Sequence, residues 1–85
     1  MTYNYATSGT CSRSIDLELD GNVIKSVVFT GGCHGNLQGI SKLVEGMTCE
    51  EAIRRLRGIC CGSKTTSCPD QLAIALEAAL QKEQQ

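Results

Sequence analysis

Ser14-Ile15-Asp16-Leu17-Glu18-Leu19-Asp20-Gly21-Asn22-Val23-Ile24-Lys25-Ser26-Val27-Val28-Phe29 is the stretch that decides the fold. Ile15, Leu17 and Leu19 alternate with Asp16, Glu18 and Asp20, the period-two pattern of a strand with one buried face. Asp20-Gly21 turns the chain, and the β-branched and aromatic run Val23–Phe29 returns as the second arm of a hairpin, with Asn22 expected in a bulged loop. Working outward toward the N-terminus, Tyr3 and Tyr5 alternate and predict a short edge strand over residues 2–7, followed by a turn at Ser8-Gly9-Thr10.

On the other side of the hairpin, the glycines of Thr30-Gly31-Gly32-Cys33-His34-Gly35-Asn36 break the strand and let the chain pass into a helix. Leu37, Ile40, Leu43 and Val44 recur at helical spacing, and Gly46 is placed to end that helix. Thr48-Cys49-Glu50-Glu51 reads as a capping box, with Thr48 as N-cap, Glu51 reaching back, and Ala52, Ile53 and Leu56 as the buried stripe of a second helix that Gly58 ends. A third helix runs from about Pro69 to Lys82 and buries Leu72, Ala73, Leu76, Ala79 and Leu80.

Strands followed by helices predict an α+β fold: a small antiparallel hairpin or three-stranded sheet with three helices on one face. The expected core is Ile15, Leu17, Leu19, Ile40, Leu43, Ile53, Leu56, Leu72 and Leu76. No repeat, linker or low-complexity segment divides residues 1–85, which read as one domain.

Eight Lys and Arg against nine Asp and Glu, interspersed, leave neither a basic footprint for nucleic acid nor a polybasic membrane patch. Met1–Thr10 has no basic or apolar signal region, and no apolar run is long enough to cross a bilayer, so the expected location is cytoplasmic. In a reducing compartment, six cysteines point to metal binding or thiol chemistry instead of a disulfide framework.

Four of the six lie at boundaries between elements, flanked by Gly, Ser and Thr: Cys11 before the hairpin, Cys33 after it, Cys61 after the second helix and Cys68 at the start of the third. The residues between Cys61 and Cys68 are too polar to bury as core and read as a loop that holds two thiols. Pro69 and Asp70 mark a helix start, so the Cys68 sulfur is expected near backbone N–H groups and a positive helix end, where a thiolate is favoured. Four soft thiolates suit tetrahedral zinc or an iron–sulfur centre. Zinc held by Cys11, Cys33, Cys61 and Cys68 is the leading expectation, with an iron–sulfur cluster or a metal-free dithiol relay as alternatives. Cys49, just inside a helix cap, is expected to pack as a small hydrophobe. Adjacent residues in extended chain point oppositely, so Cys60 and Cys61 are not expected to serve one centre together, and which of the two is the ligand stays open; His34 could add an imidazole ligand, but beside a glycine it is expected to be solvated.

Thr66-Ser67-Cys68-Pro69-Asp70, preceded by Gly58-Ile59-Cys60-Cys61-Gly62 and by Gly31-Gly32-Cys33-His34-Gly35-Asn36, resembles the TSCPD family, named for that pentapeptide. The family occurs as small free-standing proteins and as a segment near the C-terminus of cobalamin-dependent ribonucleotide reductases. The resemblance implies that Cys11, Cys33, Cys61 and Cys68 form the family's cysteine set, with Cys49 and Cys60 outside it. It also implies an accessory role linked to ribonucleotide reduction and a protein partner, a reductase or a redox or cluster protein. It does not imply the reductase reaction, since 85 residues cannot supply the barrel and nucleotide site of a complete enzyme.

A second likeness, to NifU-type iron–sulfur scaffold proteins, rests on Gly32-Cys33 and Gly46-Met47-Thr48 and would place cluster ligands on Cys11, Cys33 and Cys68. That family does not require Cys61, and Ser12 and Arg13 stand where it usually has an acidic residue near the first cysteine.

Overall fold

The computed structural model of the 85-residue chain describes every residue except Cys11, Cys33, Cys61, Lys64, Gln84 and Gln85, and omits the side chains of His34 and Glu83. The element order is β1 (Thr2–Ala6), β2 (Ser12–Asp20), β3 (Val23–Gly31), α1 (His34–Val44), α2 (Cys49–Leu56) and α3 (Cys68–Glu83). The strands form an antiparallel sheet in the order β1-β2-β3. This is the α+β architecture that the alternation of β2 and the three helical patterns predict.

Register puts Tyr3 and Tyr5 opposite Leu17 and Ile15, which in turn face Val27 and Phe29, so these six side chains share one face of the sheet. That face is the core: Ile15, Leu17, Leu19, Ile24, Leu72 and Leu76 are all at most 2% accessible. α1 packs along β3, α3 lies against β2, and α2 packs mainly on α3. Polar residues occupy the opposite face, where Thr2 donates to Glu18 and Asn4 to Asp16 across the β1–β2 pair.

The hairpin turn is two residues long, because Asp20 pairs with Val23. Gly21 has φ +60° and, among the described residues, no non-glycine residue has positive φ, which gives the φ signs of a type II′ turn. The expected bulge at Asn22 lies instead at Lys25, between the pairs Glu18–Ser26 and Leu19–Ile24. Asn22 ties the hairpin tip to the start of α2, because its carbonyl accepts from the Cys49 N–H (2.8 Å) and its side chain donates to Glu50.

A second bulge separates the pairs Ser12–Gly31 and Ser14–Thr30, with Arg13 as the extra residue. It carries β3 on to Gly31, two residues beyond the expected end at Phe29. It also reverses the alternation of β2, so Arg13 is exposed and Ser12 is 4% accessible.

Leu43, expected in the core, is 74% exposed. At helical pitch, Leu37, Ser41 and Val44 share the stripe that faces β3, and Leu43 falls off it. Ser41 is 8% accessible, its hydroxyl donating to the Leu37 carbonyl (2.9 Å). Ile40, Ile53, Leu56 and Leu80 are half-buried and pack against the core without belonging to its interior. Only half of the expected capping box forms: the Thr48 hydroxyl accepts from the Glu51 N–H (3.2 Å), but the Glu51 carboxylate reaches forward to Arg54 and Arg55. The hydrogen bonds and charges of those two arginines hold the Glu51 carboxyl below its ordinary range.

Candidate functional site

Polar side chains are buried mainly at one pole, where the start of α3 meets the loop before β2 and the segment after α2. Ser67, Cys68, Asp70 and Gln71 are between 3% and 8% accessible, as is Ser12 beside them. The sequence places Ser67 in a loop too polar to bury. It is buried because its hydroxyl is bonded twice: it accepts from the Asp70 N–H (3.2 Å), as the N-cap of α3, and donates to the Ile59 carbonyl (2.6 Å).

Asp70 sits three residues past the cap, in the first turn of α3. Its carboxylate does not turn back on the cap residue; it accepts from the Gly58 N–H (2.7 Å), from Arg57 (3.1 Å) and from the Thr66 hydroxyl (2.5 Å). Burial pushes its carboxyl up, but the bonds from Thr66, Gly58 and Arg57, together with the Arg57 charge, outweigh that and hold it below the ordinary aspartate range. Arg57 is shared with Glu77 (2.8 Å), and the bonds to Glu77 and Asp70 raise its own pKa. Gln71 donates to Thr66 (3.0 Å) and accepts from the Ser8 N–H (3.1 Å), a link across 63 positions.

The loop before β2 is drawn in as well. Gly9 has φ +74°, and a Cβ there would stand 3.0 Å from the Thr66 methyl, so a glycine lets this loop lie on the α3 start. Thr10 and Ser12 hydroxyls are 3.1 Å apart, and Thr7 donates to the Ser12 carbonyl (2.5 Å). The Cys68 thiol reaches the Ser12 hydroxyl at 3.3 Å.

Of the expected ligands, Cys68 is therefore at the helix start, buried at 8% accessibility beside Ser12. Cys11, Cys33 and Cys61 lie outside the described residues. Among the described residues, no group of three or more His, Cys, Asp or Glu is gathered as a metal site. Cys49 is fully buried in the apolar core, packed as a small hydrophobe as expected. Cys60 is an exposed thiol turned toward the carbonyls of Gly58 (3.6 Å) and Thr65 (3.5 Å). The residues that sequence reasoning missed are Ser12, Thr10 and Gln71. Ser12 was hidden by the bulge, and Gln71 by a contact too distant in sequence for any local pattern to show.

The fold and this pole define a small α+β domain whose helix-start cysteine is set in a buried hydroxyl and amide network. The family model of the TSCPD domain matches residues 1–80, and the chain belongs to that family. No curated protein and no solved structure matches it. Among the described residues no helix is long and apolar enough to cross a membrane.

Proposed function

We propose that this chain is a thiol-based metal-binding domain in which Cys11, Cys33, Cys61 and Cys68 hold zinc, and that it serves as a cytoplasmic accessory module to a partner protein of ribonucleotide reduction. The link to that process follows from the family resemblance. The metal reading is carried by one observation: Ser12, next to Cys11, touches Cys68 and pairs with Gly31, near Cys33, while Ser67 and Asp70 bind Ile59 and Gly58, near Cys61. The described neighbours of all four cysteines thus meet around the start of α3, which is what a shared ligand requires.

The donor chemistry fits. Cys68 lies in the first turn of α3, where the positive helix end favours the thiolate that zinc needs, and its thiol donates to the Ser12 hydroxyl (3.3 Å). Held by Cys11, Cys33, Cys61 and Cys68, zinc would supply a cross-link between the loops that carry them. Thr66, Ser67, Asp70 and Gln71 hold the same loops through hydrogen bonds without it.

Elemental analysis of anaerobically purified protein, with a thiol count, tests this. One zinc per chain in a colourless sample, lost in Cys68→Ser and kept in Cys49→Ser, is the expected result. Iron with acid-labile sulfide would replace zinc by a cluster. A metal-free protein whose melt a chelator leaves unchanged, and whose thiols are readily alkylated, would replace the metal by a dithiol relay.

A further inference from the structure

The hydroxyls around the start of α3 are of two kinds. Thr7 donates to the Ser12 carbonyl (2.5 Å), Thr66 to the Asp70 carboxylate (2.5 Å) and Ser67 to the Ile59 carbonyl (2.6 Å). Carbonyls and carboxylates have no proton to return, so these bonds run one way only. Ser12 is different. Its neighbours are the Thr10 hydroxyl (3.1 Å) and the Cys68 sulfur (3.3 Å), and each of these can stand on either side of a hydrogen bond.

With Cys68 as a thiol, the chain of bonds runs outward from the helix. Cys68 donates to Ser12, Ser12 donates to Thr10, and Thr10 donates to the Ser12 carbonyl (3.4 Å). A metal-bound sulfur carries no proton, and the same three side chains then serve in the opposite sense: Thr10 donates to Ser12, and Ser12 to the sulfur. The reversal leaves no group unsatisfied, because the Ser12 carbonyl keeps Thr7 as its donor. The backbone beneath the hydroxyl is held on both sides, by the pairing of Ser12 with Gly31 and by the Thr7 N–H donating to the Arg13 carbonyl (3.0 Å). Ser12 and Cys68 are 4% and 8% accessible, which leaves little access for water to supply the same bond.

We infer that Ser12 is a positioning residue of the proposed metal centre: its hydroxyl, aligned by Thr10, donates to the metal-bound sulfur of Cys68. Such a bond fixes the direction of the ligand and draws charge from it, so the sulfur is held in place and is less open to attack by an electrophile. The inference rests on the reading of Cys68 as a zinc ligand. It adds that the firmness of the site is regulated by a side chain that does not touch the metal.

Competition for zinc against a chromophoric chelator, with wild type, Ser12→Ala and Thr10→Val, tests it, and the melt of each metal-free chain is the second readout. Ser12→Ala should weaken zinc binding about tenfold to a hundredfold, the range for removing the hydrogen-bond partner of a metal ligand. Its metal-free melt should change little, since in that state the hydroxyl bonds only neutral groups. Thr10→Val should lose less zinc affinity, because Ser12 can still donate to the sulfur. Zinc held equally tightly by wild type and Ser12→Ala would overturn the inference and leave the metal reading standing, whereas a wild type that takes up no zinc would remove both. A loss in Thr10→Val as large as that in Ser12→Ala would also overturn it. So would a Ser12→Ala chain whose metal-free melt falls while its zinc affinity is unchanged, which would assign the hydroxyl to holding the loop alone.

Discussion

Around Ile15, Leu17, Leu19, Leu72 and Leu76 the chain is held by apolar packing, whereas around Ser12, Ser67, Asp70 and Gln71, residues almost as inaccessible, it is held by hydrogen bonds from three separate segments. The apolar half is non-directional, and any well-filled set of similar shapes would serve. The polar half is directional. Each buried group there has a partner, and removing one leaves the other unsatisfied. The core therefore provides stability, while the α3 start fixes where loops lie.

Leu76→Ala should separate the two halves most strongly. It empties a fully buried position and should cost about 3 kcal/mol in denaturant unfolding, with metal content per folded chain unchanged. Asp70→Ala comes next, at about 2 kcal/mol, because Gly58 N–H and the Thr66 hydroxyl lose their acceptor. Its further mark is local: hydrogen exchange at Gly58 should accelerate more than exchange in β2. Equal acceleration in both would mean that the two halves are not separable.

Acid isolates the polar half. The Asp70 carboxyl is held below its ordinary range, so its contribution is fully present above the ordinary aspartate value of about 4 and is lost as pH falls through the lower folded value. The stability gap between wild type and Asp70→Ala should therefore narrow only below about pH 4. A gap that narrows near neutrality would point to another group. The smallest effect is expected at Leu43→Gln, within about 0.5 kcal/mol, since the side chain is already in water.

Leu43 also marks where sequence reading stops. The alternation of Ile15, Leu17 and Leu19 was legible because a strand has only two faces. In α1 the choice among Leu37, Ile40, Ser41, Leu43 and Val44 depends on the angle at which the helix meets β3, and hydrophobicity alone selects Leu43 over the buried Ser41. At the pole, Thr66–Asp70 was legible as a helix start, and Cys68 lies there. The partners of that start were not: Ser12 is 56 positions from Cys68 and Ser8 is 63 from Gln71, separations at which no local periodicity operates.

The bulge at Arg13 makes residue count, and not residue identity, the quantity that the geometry fixes at that place. An exposed Arg13 admits many side chains, but its deletion would shift everything before it by one position and send the Ser12 hydroxyl outward, away from Cys68. Length variation is therefore forbidden where sequence variation is permitted. A chain that lost one residue there would keep its hairpin and its core while its first thiol-bearing loop fell out of step with the last helix.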